Sequence, residues 1–155
     1  MNMKKIEPLV WHNEVRTVNS LLPFDKNPRK MTEVQMDQLK KSISKFNLAE
    51  VPCIDTDGVI VAGHMRTKAL QLLNRGEESI DVRVPNRKLT EYEFKEYNVR
   101  SNKNVGIFDD ELLAGLFDEQ ELRDIGFSDA ELGMLDFEDD QNAKEDDVPE
   151  INDKP

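Results

Sequence analysis

The sequence predicts an α/β (α+β) domain: a small mixed sheet with packed helices, followed by short C-terminal helices. Three observations carry this. Short runs of β-branched and apolar residues alternate with stretches whose apolar residues recur at spacings of three and four. Asp57-Gly58, a hairpin signal, joins two of the short runs. Gly63 stands where one such run passes straight into a helical pattern.

Taking the elements in order, residues 1–14 show no clear period, with Trp11 and His12 assigned to an edge. Val15 to Leu22 has the composition of a strand and stops at Pro23. Asn27-Pro28 is a turn, because the proline excludes the helical region for the residue before it. Thr32 caps a helix reaching about Phe46, with Met36, Leu39, Ile43 and Phe46 as its apolar face. Pro52–Ile54 and Val59–Ala62 are strands flanking the turn at Asp55–Gly58. A helix starts at His64 and ends near Asn74-Arg75-Gly76, with Met65, Ala69 and Leu72/Leu73 turned to one side. Ile80–Val84 is a strand. Thr90 and Glu93 form a capping box for a helix ending about Ser101, before a polar corner at Asn102-Lys103-Asn104. Three short helices follow: from Asp109 or Asp110 to Phe117, from Asp118 to Ile125, and from Ser128 to Leu135.

The formal charge of −11 is unevenly distributed. Residues 1–105 hold 18 Lys+Arg against 14 Asp+Glu, a net of +4, and residues 106–155 hold 3 against 18, a net of −15. This asymmetry divides the chain into a mildly basic domain over 1–105, a short helical extension over 106–135 and an acidic disordered tail over 136–155. A basic domain faces nucleotide or nucleic acid; the acidic end would be repelled by a phosphate backbone. No run of apolar residues is long enough for a membrane span, and the first residues lack the apolar core of a signal peptide. One cysteine, Cys53, allows no intramolecular disulfide and fits a reducing cytoplasm; its strand position makes it a small core residue.

The stretch Val59–Ala69 carries the chemistry. A strand running through a glycine into a helix start presents free backbone N–H groups and the positive end of the helix dipole, which together attract anions. His64, Arg66, Thr67 and Lys68 add donors at that end. A glycine that merely permits a tight turn, with solvated cations beside it, accounts for the same residues.

Three segments then stand in a recognisable order: Asn27-Pro28-Arg29, Gly58–Ala69 and Asn102. Together they resemble the N-terminal domain of ParB, in the ParB/sulfiredoxin superfamily. Val61-Ala62-Gly63-His64-Met65-Arg66-Thr67-Lys68-Ala69 resembles the Gly-Glu-Arg-Arg box and, more closely, the Gly-His-x-Arg variant of ParB-like (ParB-like nuclease) domains of phages and mobile elements, often found beside DNA methyltransferases. Ser101-Asn102-Lys103 is similar to their Asp-Asn-Lys/Arg corner, and Asp109–Leu113 and Ile125–Ser128 are similar to their helical end. The resemblance covers about residues 15–135.

The resemblance implies binding of a nucleoside triphosphate, CTP or ATP, with Mg²⁺. It places Gly63, His64, Arg66 and Thr67 on phosphate, Asn102 near the phosphates or metal, and Asn27 and Arg29 on the facing loop. His64 and Arg66 become the catalytic candidates. The metal ligands stay unassigned; Glu33 and Asp37 are carboxylates that could assist, or simply part of a solvated helix face. The partners implied are the nucleotide, DNA directly or through a partner protein such as a methyltransferase or DNA-packaging protein, and a second copy of the chain.

Departures narrow this. His64 replaces the acidic residue of the ParB box, and Arg66 stands where ParB has two adjacent arginines. No cysteine follows Gly63, so sulfiredoxin chemistry is not expected. The short acidic C-terminal helices do not look like a DNA-reading element, because a recognition helix should carry Arg, Lys, Asn or Gln toward the bases. Three functions remain open: a nucleotide-binding domain with NTP hydrolysis or phosphoryl transfer, a metal-dependent DNase, and a non-enzymatic adaptor that uses its acidic end.

Overall fold

The first strand, β1 (Trp11–Thr17), begins four residues earlier than its composition predicts and stops at Thr17. In the computed structural model, which describes residues 6–103, 107–135 and 137, the next three residues, Val18–Ser20, form a 3-10 turn instead of continuing the strand. The reason is pairing. β1 lies antiparallel to β4 (Ser79–Pro85) in one unbroken register from Trp11↔Pro85 to Thr17↔Ser79. Its backbone hydrogen bonds are supplied by that partner, so Trp11-His12-Asn13 is extended without an alternating pattern of its own.

Between these strands in sequence lie α1 (Glu33–Phe46), β2 (Cys53–Ile54), β3 (Ile60–Ala62) and α2 (His64–Leu72). The sheet order is β1-β4-β2-β3. β4 pairs antiparallel with β1 and parallel with β2, and β2 pairs antiparallel with β3, so the sheet is mixed. The fold class is the predicted one. Beyond β3 the edge is extended by a parallel bridge between Leu22 and Val59.

Local chemistry explains the helix ends. Thr32 and Gln35 form a reciprocal capping box at the start of α1. Its C-terminal residue Asn47 takes φ 66°, which turns the chain sharply. Phe46 is consequently left 67% exposed rather than on the apolar face, with the Lys45 ammonium 5.3 Å from its ring centre. α2 closes with Asn74 at φ 61° while Arg75 N–H returns to Leu70 C=O at 2.8 Å. Its buried face is Ala69 and Leu70 with Leu73 alongside; Leu72 points out. The helix α3 (Glu91–Lys103) starts on the Thr90–Glu93 capping box, as predicted, and runs two residues past Ser101.

The main core lies between the sheet and the α1–α2 pair. Ile80, Val82 and Val84 point one way from β4 and meet Val18, Ile43, Ile54, Ala69 and Leu70. α3 packs against β3. Cys53 is partly buried between the sheet and Tyr97, and desolvation pushes its thiol up from the ordinary range.

The chain divides into two compact units, 1–105 and 106–155. The second holds α4 (Asp110–Leu116), α5 (Glu119–Ile125) and α6 (Asp129–Gly133), capped by Asp109, Asp118 and Ser128. Leu113, Leu122 and Leu132 form its centre, with Phe117, Phe127, Leu135 and Phe137 around them. The acidic tail expected over 136–155 lies outside the described residues except for Phe137, as does Asn104 of the polar corner.

Candidate functional site

Gly63 is the N-cap of α2, at φ 102° and ψ 19°. That left-handed conformation favours glycine, and a Cβ at this position would come within 2.9 Å of both Cα and Cβ of Pro52. The geometry has a cost and a use. Serine, threonine or aspartate at an N-cap would cover an open N–H of the first turn; glycine cannot, and no side chain caps α2. The start of α2 therefore presents uncovered donors and the positive end of the dipole.

The residues after Gly63 separate. Thr67 is buried, and its hydroxyl donates back to the Gly63 carbonyl at 3.1 Å, so it holds the turn from inside. Arg66 is about one third exposed and pairs with the exposed carboxylate of Glu50. His64 is half-buried, and its Nε2 accepts from the Phe24 backbone N–H at 3.1 Å. That contact puts the ring proton on Nδ1. Burial holds the ring below the usual histidine range, so it is neutral at pH 7.

Phe24 belongs to the segment between the 3-10 turn and α1, and two more contacts tie that segment down. Asn27 Oδ1 accepts from Asn98 Nδ2 at 3.2 Å, and Asn102 Oδ1 accepts from Arg29 Nη1 at 3.2 Å. Asn98 and Asn102 sit one turn apart on α3, and Asn102 Nδ2 donates to the Asn98 carbonyl at 2.9 Å. Asn98 is the centre of this group. It is 1% exposed, and its Nδ2 also donates to the Val61 carbonyl of the edge strand β3 at 3.0 Å. The sequence-predicted Asn27, Arg29 and Asn102 thus meet through a residue that sequence reading passed over. The available signal was a lone amide on the apolar side of a helix, four residues before Asn102.

A cavity of about 310 Å³ opens between this segment and α2. Asn27, His64 and Thr67 line it together with Phe24, Met65 and Lys68. Gly63, Arg29, Arg66 and Asn102 are not in its walls. A larger cavity, about 530 Å³, lies between Phe24, the β2–β3 turn and the start of α3, and none of the predicted residues lines it. Its charged wall is already engaged. Asp55 is buried and accepts from the N–H groups of Thr56 (2.8 Å) and Leu89 (3.1 Å), while Lys88 Nζ bridges Asp55 and Asp57 at 3.2 and 2.9 Å. These aspartates anchor the entry to α3. Among the described residues, no three His, Cys, Asp or Glu side chains converge as a metal site would need, and no helix is long and apolar enough to cross a membrane.

No protein-family model and no curated protein matches the chain. Solved structures do. A C-terminally truncated chromosome-partitioning protein ParB from Caulobacter crescentus, complexed with CTP-gamma-S, superposes with a TM-score of 0.59 at 19% identity, over 78% of this chain and 74% of that one. The pNOB8-like ParB N-domain superposes with a TM-score of 0.52 at 16% identity, over 79% of this chain and 45% of that one. A second form of that domain gives 0.50 at 16% identity, and here too the chain spans just under half of the compared protein. The fold is ParB-like.

Proposed function

We propose that residues 1–105 form a ParB-like nucleotide-binding domain acting in the DNA metabolism of a phage or mobile element. The observation that carries the reading is the uncapped start of α2, opened by a glycine whose φ and whose contact with Pro52 leave no room for a capping side chain. In this reading the phosphates of CTP or ATP lie at that helix end, and the base and ribose enter the 310 Å³ cavity past Asn27 and Lys68. The fold shared with a ParB that was solved with a CTP analogue supports this.

Each residue takes a role its geometry permits. Arg66 leaves Glu50 and turns to phosphate; Arg29 approaches from the facing segment. His64 donates through Nδ1 while its Nε2 keeps Phe24 in place. Thr67 and Asn102 hold the backbone that carries the donors. Mg²⁺ would arrive on the phosphates, since the donor set here is amides, guanidinium groups and backbone N–H rather than clustered carboxylates. Hydrolysis or phosphoryl transfer would draw on Arg66 to neutralise developing charge. DNA is engaged directly or through a partner such as a methyltransferase or packaging protein.

Titration calorimetry with CTP, ATP, ADP and GTP in Mg²⁺ tests the reading. Wild type binds at least one of them, and Arg66→Ala weakens that binding by about tenfold to a hundredfold, as expected for a lost charge-assisted contact of ~1.5–3 kcal/mol. Glu50→Gln tightens it several-fold, because the competing carboxylate is gone. No heat with any nucleotide, or indifference to both substitutions, rejects the site.

A further inference from the structure

We propose that the α4–α6 unit carries a docking surface for a basic amphipathic helix of another protein. Three features of its outer side point there. The first is an apolar strip. Leu113 of α4 fills the centre of the unit, but Leu112 and Leu116, one turn apart, are 66% and 74% exposed, and Ile107 just before the helix is 99% exposed. Side chains four apart on a helix form one continuous ridge. Unlike scattered single exposures, they give a partner helix a seam to pack on.

The second feature is Gly115, inside that ridge. Glycine weakens a helix interior relative to alanine. Here a Cβ would meet nothing within 4 Å beyond its chain neighbours and its own helix backbone, so nothing packed against this side of α4 calls for its absence. Bare backbone between two exposed leucines admits close approach by something outside the chain.

The third feature is charge, and it selects the occupant. Residues 107–135 carry nine Asp and Glu and a single Arg, a net of −8. That arginine, Arg123, is already paired with Asp129 at 3.0 Å and Glu119 at 3.4 Å. Asp109, Asp110 and Glu111 stand at the head of the leucine ridge. A second copy would bring equal charge against equal charge, and a nucleic acid would bring phosphate against carboxylate. An apolar strip inside an acidic frame instead complements a helix with leucine-like anchors and lysine or arginine at its margins.

The test uses the full chain and a fluorescently labelled Leu/Lys peptide that is amphipathic at helical spacing, with a scrambled peptide of the same composition as control. Anisotropy titrations give affinities. The amphipathic peptide binds at least about tenfold more tightly than the scrambled one. The double variant Leu112→Ser/Leu116→Ser brings the two peptides to the same affinity. It keeps its far-UV dichroism and melting temperature, since both side chains are exposed. Gly115→Gln, which improves helix propensity, also weakens the amphipathic peptide. Equal binding of both peptides to wild type would mean that charge alone attracts them and would overturn the proposal. So would variants that bind as wild type does. Sedimentation that shows a dimer abolished by Leu112→Ser/Leu116→Ser would overturn it too, since the occupant would then be a second copy.

Discussion

Asn98 offers a calculation that can fail. Its side chain donates to Val61 C=O at 3.0 Å and to Asn27 Oδ1 at 3.2 Å, with 1% of the residue exposed. Asn98→Leu removes both bonds while keeping the branched shape of the side chain. Val61 is itself fully buried, so its carbonyl loses this donor away from water. Stranding such a group costs about 1–3 kcal/mol, and the second bond is worth about 1 kcal/mol. We expect Asn98→Leu to lose about 2–4 kcal/mol on these terms.

Asn98→Asp is the sharper test. It keeps the shape but puts an oxygen where the amide donated, against two other oxygens. Removing one partner from a buried charged contact costs about 3–5 kcal/mol, and an ionised carboxylate here has no partner at all. The neutral acid avoids part of this, because it can donate one hydrogen bond. The folded-state pKa of the introduced carboxyl is thus raised above its unfolded value of about 3.9. Its penalty is small below that value and grows as pH rises toward the folded pKa. Relative to wild type, Asn98→Asp should therefore recover stability between pH 7 and pH 4. Urea titrations followed by Trp11, the only tryptophan, report on the first unit alone. Wild-type stability for Asn98→Asp at pH 7, or a deficit unchanged by acid, would refute the reasoning.

The other expectations are more direct. Gly63→Ala should destabilise by about 2–5 kcal/mol, adding an unfavourable φ of about 1–2 kcal/mol to overpacking against Pro52 of about 1–3 kcal/mol; chemical denaturation measures it, and a cost below the lower bound would mean the turn can relax. His64 has a folded pKa depressed by burial, so its contribution is present at neutral pH and is lost as pH falls through that folded value. His64→Gln retains an acceptor for Phe24 N–H and should flatten this part of the pH–stability curve. Glu93, held by Arg87 through two contacts of 2.8 and 2.9 Å, is lowered to about 2. Its contribution is present above the unfolded carboxyl range and fades as pH drops toward 2; Glu93→Gln should remove that acid-side slope and show it in urea titrations between pH 5 and pH 2.

Much of this fold could be read from residues that solve a local problem. Thr32, Thr90, Asp109, Asp118 and Ser128 announce helices because each satisfies an orphan N–H in its own first turn. Asp57-Gly58 announces its hairpin for a similar reason. Features that depend on a distant partner were not legible. Trp11-His12-Asn13 becomes strand only because β4 lies beside it, and Leu72 rather than Leu73 faces water because the core meets α2 on its Ala69–Leu70–Leu73 side. The site divides the same way. Gly63 could be recognised from the strand–helix junction that it opens, whereas Asn98, joined to residues up to 71 positions away, and the Arg66–Glu50 pair could not.

The β1–β4 register has a consequence in time. Its paired residues lie between 62 and 74 positions apart, Thr17↔Ser79 and Trp11↔Pro85. Closing so long a loop is entropically costly and slow compared with helix formation or the β2–β3 hairpin. On a ribosome β1 is made first and must wait, unpaired, until the whole central segment has emerged. The hairpin and the helices around it can settle beforehand, and β1 then seals a nearly finished sheet. Substitutions in β1 would accordingly hasten unfolding more than they slow folding. The strand made before its partner is the last to find its place.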